Sequence, residues 1–127
     1  MLTRRAGPPY QGTWDLPGGF LEGDETPERG LRRELREELG VRMGRARQIG
    51  VAQDRYGPGG FPVLTLVYRA AVAGRVRPGD DVSEARWFPR RRVPWQQIAF
   101  AGLRGLLRAA IGRAGRGERS RRRISGS

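Results

Sequence analysis

The chain has 127 residues, neither cysteine nor histidine, and a formal charge of +12. One domain accounts for that length, and the composition excludes disulfides, thiolate or imidazole metal sites, histidine general bases and Ser-His-Asp triads. Hydrolytic chemistry in such a chain has to rest on carboxylates, arginines, hydroxyls and a hard metal ion.

All 25 basic residues are arginine, beside 20 glycines and 9 prolines. That bias resembles GC-rich codon usage, so the positive charge is discounted as a nucleic-acid signal. No apolar run is long enough to span a membrane, and the N-terminus has no apolar signal-peptide core, so a cytoplasmic protein with no membrane partner is expected. Leu, Ile, Val and Phe number 27 of 127, which makes the core lean.

Residues 5–19, "RAGPPYQGTWDLPGG", carry turn formers on both sides of Trp14 and Leu16 and are expected to form a loop. Thr26 and Pro27 predict a helix start, with Thr26 as N-cap, Pro27 at the first helical position and Glu28 beside the positive end of the dipole. Leu31, Leu35 and Leu39 form its core-facing stripe, and Gly40 its stop.

Two strands are predicted at 47–54 and 61–72, joined by the glycine-rich loop "RYGPGG". The second is apolar on both faces over Val63–Val67, as expected of an interior strand covered on both sides. The loop "GRVRPGDD" leads to a short strand at 84–88. An amphipathic helix is expected from Trp95 to about Arg113, burying Ile98, Leu103, Leu106, Leu107 and Ile111. Residues 113–127 hold six arginines against Glu118 and are expected to be a disordered tail. The domains expected are therefore 1–112 and the tail 113–127. The order β, α, β, β, β, α predicts an α/β (α+β) domain with helices packed on a small sheet.

Glu34, Glu37 and Glu38 lie three and four apart and share one flank of the predicted helix, where like charges repel unless neutralised. Arg33 and Arg36 can do part of this, and a divalent cation does it better. A solvated face of Arg–Glu pairs is the plainer alternative. Gly18 and Gly19 just ahead could offer carbonyl ligands, and Glu25 lies within reach of Arg33.

Gly19, Glu25, Arg33, Glu34, Leu35, Glu37, Glu38, Gly40 and Val41 fill the pattern G-x5-E-x7-R-E-U-x-E-E-x-G-U, with U a bulky aliphatic residue. This stretch resembles the box of the Nudix hydrolases, and the resemblance extends over roughly residues 3–112. It implies an α/β/α sandwich around a small mixed sheet. The implied activity is Mg²⁺- or Mn²⁺-dependent cleavage of a phosphoanhydride in a nucleoside diphosphate linked to another moiety, such as a nucleotide sugar, ADP-ribose, a dinucleotide or a (d)NTP.

Carried onto this chain, the resemblance makes Glu37 and Glu38 the main metal ligands and Glu34 a further ligand or the base that activates water. The Gly18 carbonyl would complete the metal site. Arg33, supported by Glu25, would orient the glutamates, while Gly19 and Gly40 support the box. Asp80 and Asp81 are alternative general bases, and Glu84 a weaker one. Arg5, Trp14 and Tyr56 are candidate substrate contacts, with Trp14 equally readable as packed core.

Family members carry an apolar strand that ends at the pair matching Arg4-Arg5. Only three residues precede Arg4 here, so the sandwich is expected to lack its first N-terminal strand or strands. Two other functions stay open: a truncated or non-catalytic nucleotide-binding module, and an RNA-associated protein acting through the basic tail. A small nucleotide-derived substrate is the favoured partner, nucleic acid is disfavoured, and a homodimer is left open.

Overall fold

The computed structural model describes residues 1–111, so the arginine-rich segment 113–127 lies outside the described residues. The elements in chain order are β1 (Leu2–Arg5), β2 (Trp14–Asp15), α1 (Pro27–Leu39), β3 (Arg42–Tyr56), β4 (Phe61–Ala73) and β5 (Val82–Arg86). Two 3-10 turns, Arg90–Arg92 and Trp95–Gln97, then lead to a second helix, α2, over residues 101–111.

β1 is the central strand of a three-stranded antiparallel sheet in the order β2-β1-β5. Although only three residues precede Arg4, residues 2–5 thus fill an interior place, with Leu2 and Thr3 buried. Pairing of Arg4 with Trp14 and Thr3 with Asp15 turns the tryptophan side of the expected loop into a short strand. A parallel bridge joins Trp14 to Ile98, and Ala99 N–H donates to the Trp14 carbonyl at 2.9 Å.

That bridge explains the largest departure from the sequence reading. Residues 95–100 were expected to be helical, yet Ile98 is extended and its side chain is 2% exposed. Pairing with Trp14 draws this segment out of the helix, a tertiary contact overriding local propensity. The helix begins three residues later, where the Asp54 carboxylate accepts from the N–H groups of Gly102 at 2.7 Å and Leu103 at 3.1 Å. An acid from another strand thus supplies the cap that the helix lacks locally. Similarly, β5 is displaced two residues from the expected 84–88, because Leu2–Arg5 sets its register against Arg86–Val82.

α1 follows its sequence signals closely. Thr26 is extended and its hydroxyl accepts from Arg29 N–H. Gly40 has φ 67° and closes the helix with its N–H on the Arg36 carbonyl, while Val41 N–H reaches the Leu35 carbonyl. A left-handed residue whose N–H returns to the carbonyl four residues back is the αL stop, and it favours glycine because no Cβ clashes.

β3 and β4 form a long antiparallel ribbon. α1 packs on one face through Leu35 and Leu39, with Val41, Met43, Ala70 and Val72. α2 packs on the other through Leu103 and Leu107, with Ala52, Val67 and Ile98. Val67 and Ala70 are an odd number of residues apart, so they face opposite sides. The ribbon is thereby sandwiched between helices. Burying a leucine as completely as Leu39, which is 0% exposed, contributes about 1.5–3 kcal/mol.

The expectation of a strand covered on both faces over Val63–Val67 is corrected. Leu64 is 68% exposed and Leu66 is 40% exposed. α1 covers that face of β4 at Ala70 and Val72, and the packed cluster does not extend to Leu64. Within the described residues β4 also pairs along one edge only, with β3.

Candidate active site

A cavity of about 1240 Å³ opens between the loop 15–22, α1, β4 and the loop before β5. Acids from separate elements line it: Asp15, Glu22, Glu34, Glu38, Asp54, Asp80 and Asp81. Each reaches it for a local reason. Asp15 follows the buried Trp14 in β2, and its carboxylate accepts from Leu16 N–H at 2.8 Å. Glu34 and Glu38 are one turn apart on the flank beside Leu35 and Leu39. The segment before Asp80 is tied to the end of α1, with Arg77 N–H on the Leu39 carbonyl at 2.7 Å and Gly79 N–H on the Glu38 carbonyl at 2.6 Å.

Arg33 is the hub of the box. Its guanidinium donates to both carboxylate oxygens of Glu25 at 2.7 and 3.0 Å. It also donates to Glu34 at 2.9 Å, Glu37 at 3.1 Å and the Phe20 carbonyl at 3.2 Å. This fork fixes α1 to the loop ahead of it, and a planar five-donor group is the side chain suited to do so. The hydrogen bonds from Arg33 hold the Glu25 carboxyl down at about 2. The arginine in turn is held well above its ordinary value by Glu25 and Glu34.

Glu38 is in a different position. Among the described residues it is in no ion pair with an arginine. Burial pushes its carboxyl up to about 7, the neighbouring charge of Glu34 adds to this, and Asp81 and Asp15 contribute further. A hydrogen bond from Gly18 N–H opposes the rise. Burial likewise raises the Asp15 carboxyl, against the pull of Leu16 N–H and Arg5.

The loop approaches these acids closely. A Cβ built on Gly19 would lie 2.5 Å from Glu34 Cδ and Oε1, so any side chain there displaces the carboxylate or the loop. Gly30, one turn ahead of Glu34 on α1, is similarly hemmed in by Leu21 and Glu25.

The residues singled out from the sequence divide as follows. Glu34, Glu38, Gly18, Gly19, Asp80 and Asp81 line the cavity together. Glu37 is turned onto Arg33 with its side chain 57% exposed. Arg5 and Tyr56 meet at the cavity: Arg5 donates to the Tyr56 hydroxyl at 2.9 Å and to Asp15 at 3.3 Å. Glu84 is held by Arg4 at 3.4 Å and by Arg86.

Trp14 as a base-stacking residue is corrected. It is 2% exposed, packed edge-on to Phe88, with Arg4 over its ring, and the packed-core alternative holds. Asp15 and Phe20 both line the cavity and escaped the sequence reading. Asp15 lies inside a stretch whose turn formers predict a loop throughout, and nothing in its spacing marks it as a cavity acid. Among the described residues, no three acids converge as a preformed ligand set.

The comparisons agree with this geometry. The family described as NUDIX domain matches residues 1–109. The chain is 33% identical over 102 residues to an ADP-ribose pyrophosphatase of Methanocaldococcus jannaschii, covering 79% of this chain and 59% of that protein. It is 34% identical to a solved MutT NUDIX hydrolase from Burkholderia pseudomallei, with a TM-score of 0.72 and 83% of each chain covered. A solved NUDIX domain of Shewanella oneidensis NrtR, complexed with ADP ribose, gives a TM-score of 0.69 at 28% identity and covers 86% of this chain and 73% of that one. The chain spans about three-fifths of the length of that ADP-ribose pyrophosphatase and of a MutT-like protein of Streptomyces ambofaciens, and less than half of other curated relatives. With its matched box, helix-sandwiched ribbon and acid-lined cavity, the chain belongs to the NUDIX domain family.

Proposed function

We propose that the protein is a Mg²⁺- or Mn²⁺-dependent hydrolase that cleaves the phosphoanhydride of a nucleoside diphosphate linked to another group. The observation that carries this reading is the pairing of two kinds of acid on one helix. Glu34 is oriented by Arg33, while Glu38 faces the cavity with no ion pair to an arginine among the described residues and with a raised proton affinity. A half-buried carboxylate surrounded by like charges calls for a cation.

The donor chemistry fits a hard divalent ion. Glu34 and Glu38 supply carboxylate oxygens, Asp15 and Asp81 add to the negative field, and thiolate or imidazole ligands are absent from the composition. Glu37 would join them on turning away from Arg33, and the Gly18 carbonyl is the proposed backbone ligand. The chemistry such an ion supplies when bound is neutralisation of charge on the phosphate oxygens.

The remaining work falls to the chain's own groups. Glu34, held through its Oε1 by Arg33, is placed to take a proton from the attacking water, with Asp80 and Asp81 as the alternative acceptors. Arg33 and Glu25 keep that carboxylate in one orientation, a positioning role. Arg5, at the cavity beside Tyr56, supplies a positive charge for substrate phosphate. The ADP-ribose named for one relative and for the ligand of one structural neighbour makes that compound the first substrate to test.

The test is phosphate or nucleotide release from ADP-ribose, NADH, dinucleoside polyphosphates and dNTPs with Mg²⁺, comparing the protein with Glu38→Gln and Glu37→Gln. Loss of turnover in the Glu38 variant supports the reading. Equal rates in all three proteins, or none in any, would sink it.

A further inference from the structure

The two signs of charge separate along this chain. Between Glu38 and Asp80 stand the arginines Arg42, Arg45, Arg47, Arg55, Arg69, Arg75 and Arg77, and the one acid among them is Asp54. Both oxygens of that acid are taken by the N–H groups that start α2. Biased codon usage accounts for a total of arginine. It does not account for acids that gather at the cavity and are missing from the ribbon.

Four of these arginines come together at one end of the ribbon. Side chains alternate along β4, so Arg69, Ala71 and Ala73 share the face of Val67, which packs under α2. On β3, Arg47 stands directly opposite Arg69, and Arg42 opposite Ala73. A bulge between Met43 and Ala46 sets Gly44 and Arg45 together against Ala71. The cluster under α2 ends at Ile49 and Val67, so beyond it Arg42, Arg45, Arg47, Arg69, Ala71 and Ala73 are all exposed. Arg32 reaches the same bulge from α1 and donates to the Gly44 carbonyl at 3.0 Å.

Like charges directly opposite on a sheet repel. Arg42, Arg45, Arg47 and Arg69 are in no ion pair among the described residues. An anion from outside would offset the repulsion, and guanidinium forks match phosphate oxygens. The two alanines leave a low floor on which a phosphate backbone can approach. With no apolar side chain larger than alanine, the face has nothing to insert into a membrane. It offers no ring on which unpaired bases could stack, and no hydroxyl or amide side chain to select a 2′-hydroxyl. We infer that this end of the β3–β4 ribbon is a docking face for the phosphate backbone of double-stranded DNA, bound without sequence preference. It stands independently of the hydrolase reading.

The experiment titrates the full chain into a labelled DNA duplex of about 20 base pairs and arbitrary sequence, read by fluorescence anisotropy. Salt is varied from about 50 to about 200 mM. Wild type is compared with the double variants Arg47→Gln/Arg69→Gln and Arg47→Lys/Arg69→Lys. Arg91→Gln/Arg92→Gln makes the same charge change on exposed arginines of a separate turn. In Arg47→Gln/Arg69→Gln the slope of log affinity against log salt should become shallower by about two. Its affinity at about 0.1 M salt should fall at least about tenfold. The lysine pair and the Arg91/Arg92 variant should keep the wild-type slope.

Thermal midpoints accompany each titration. Neutralising a like-charge pair should hold or raise the midpoint, so lost binding at an undiminished midpoint supports the face. If the double glutamine variant fails to fold, Arg47→Gln and Arg69→Gln singly carry the test, each expected to remove about one from the slope. Equal losses in the two glutamine pairs would mean that binding follows net charge, which overturns the face. Undiminished binding in Arg47→Gln/Arg69→Gln overturns it too, and places any affinity elsewhere in the chain. Tighter binding of the single strand, of an RNA duplex of the same sequence or of polyglutamate overturns the choice of double-stranded DNA.

Discussion

Gly19 lies so close to Glu34 that a methyl group on it would stand 2.5 Å from the carboxylate carbon. The glycine is exposed, and the space that it leaves is filled by the glutamate rather than by core. We therefore predict that Gly19→Ala acts on activity and hardly on stability. The carboxylate must swing or the loop must back away, and a misplacement of about 1 Å in such a site costs about 10²-fold in rate. The measurement is kcat/KM for the best substrate beside the thermal midpoint. A variant with full activity would show that Glu34 does not need its present place.

Arg33 makes a fork that lysine cannot. It reaches Glu25, Glu34, Glu37 and the Phe20 carbonyl at once, with a half-buried guanidinium. A lysine in its place keeps the charge and loses the geometry. Arg33→Lys is predicted to lower kcat/KM by about 10–100-fold, the range seen when groups orienting metal ligands are removed. Raised Mg²⁺ should recover part of the loss, because positioning of the ligands is what suffers. An unchanged Mg²⁺ dependence, read by titrating the metal against rate, would argue against that role.

Helix α1 was legible in the sequence because its signals are local. Thr26, Pro27 and Gly40 act within a turn of themselves, and the leucine stripe needs only the helical period. The elements that were misplaced answer to distant partners. Ile98 is extended because Trp14 pairs with it, and α2 starts where Asp54, 48 residues away from Gly102, supplies a cap. Trp14 itself could be stacking or packed on sequence grounds, and only the arrangement of Phe88, Arg4 and Ile98 around it decides for packing. The acids of the box could be listed from the pattern. That Asp15 joins them depends on a fold of loop that no spacing encodes, whereas Glu37 turns to Arg33 within α1, one helical turn away.

The proton affinities predict a pH dependence of stability in the absence of metal. Glu38 is raised to about 7 in the fold from an ordinary value of 4.5, and Asp15 is raised in the same direction. Between those limits the folded state binds more protons than the unfolded one, so stability declines as pH rises through the window of about 4.5 to 7. Glu25 has the opposite sign, but its contribution is lost only as pH falls from 4.5 towards about 2. In chelator, the thermal midpoint should therefore drop between about pH 5 and pH 7.5. Glu38→Gln should flatten the drop, and Mg²⁺ should reverse it. A midpoint that rises over this range in wild type and variant alike would contradict the raised value for Glu38.

Asp54 provides the clearest test of the fold itself. Its two carboxylate oxygens each take one N–H at the start of α2, and the same helix carries Leu103 and Leu107 into the core beside Val67. Removing the cap leaves those donors to water and loosens the first turn of a helix of which 11 residues are described. Asp54→Ala is predicted to cost about 1–2 kcal/mol, as cap removals do. For a domain of this size that is a fall in Tm of about 5–10 °C. Asp54→Asn, which keeps one acceptor, should recover part of it. Because Asp54 also lines the cavity, kcat/KM must be read alongside. A loss of activity at unchanged Tm would move Asp54 from scaffold to chemistry, whereas a matched loss of stability with near-normal kcat leaves it as the peg that joins β3 to α2.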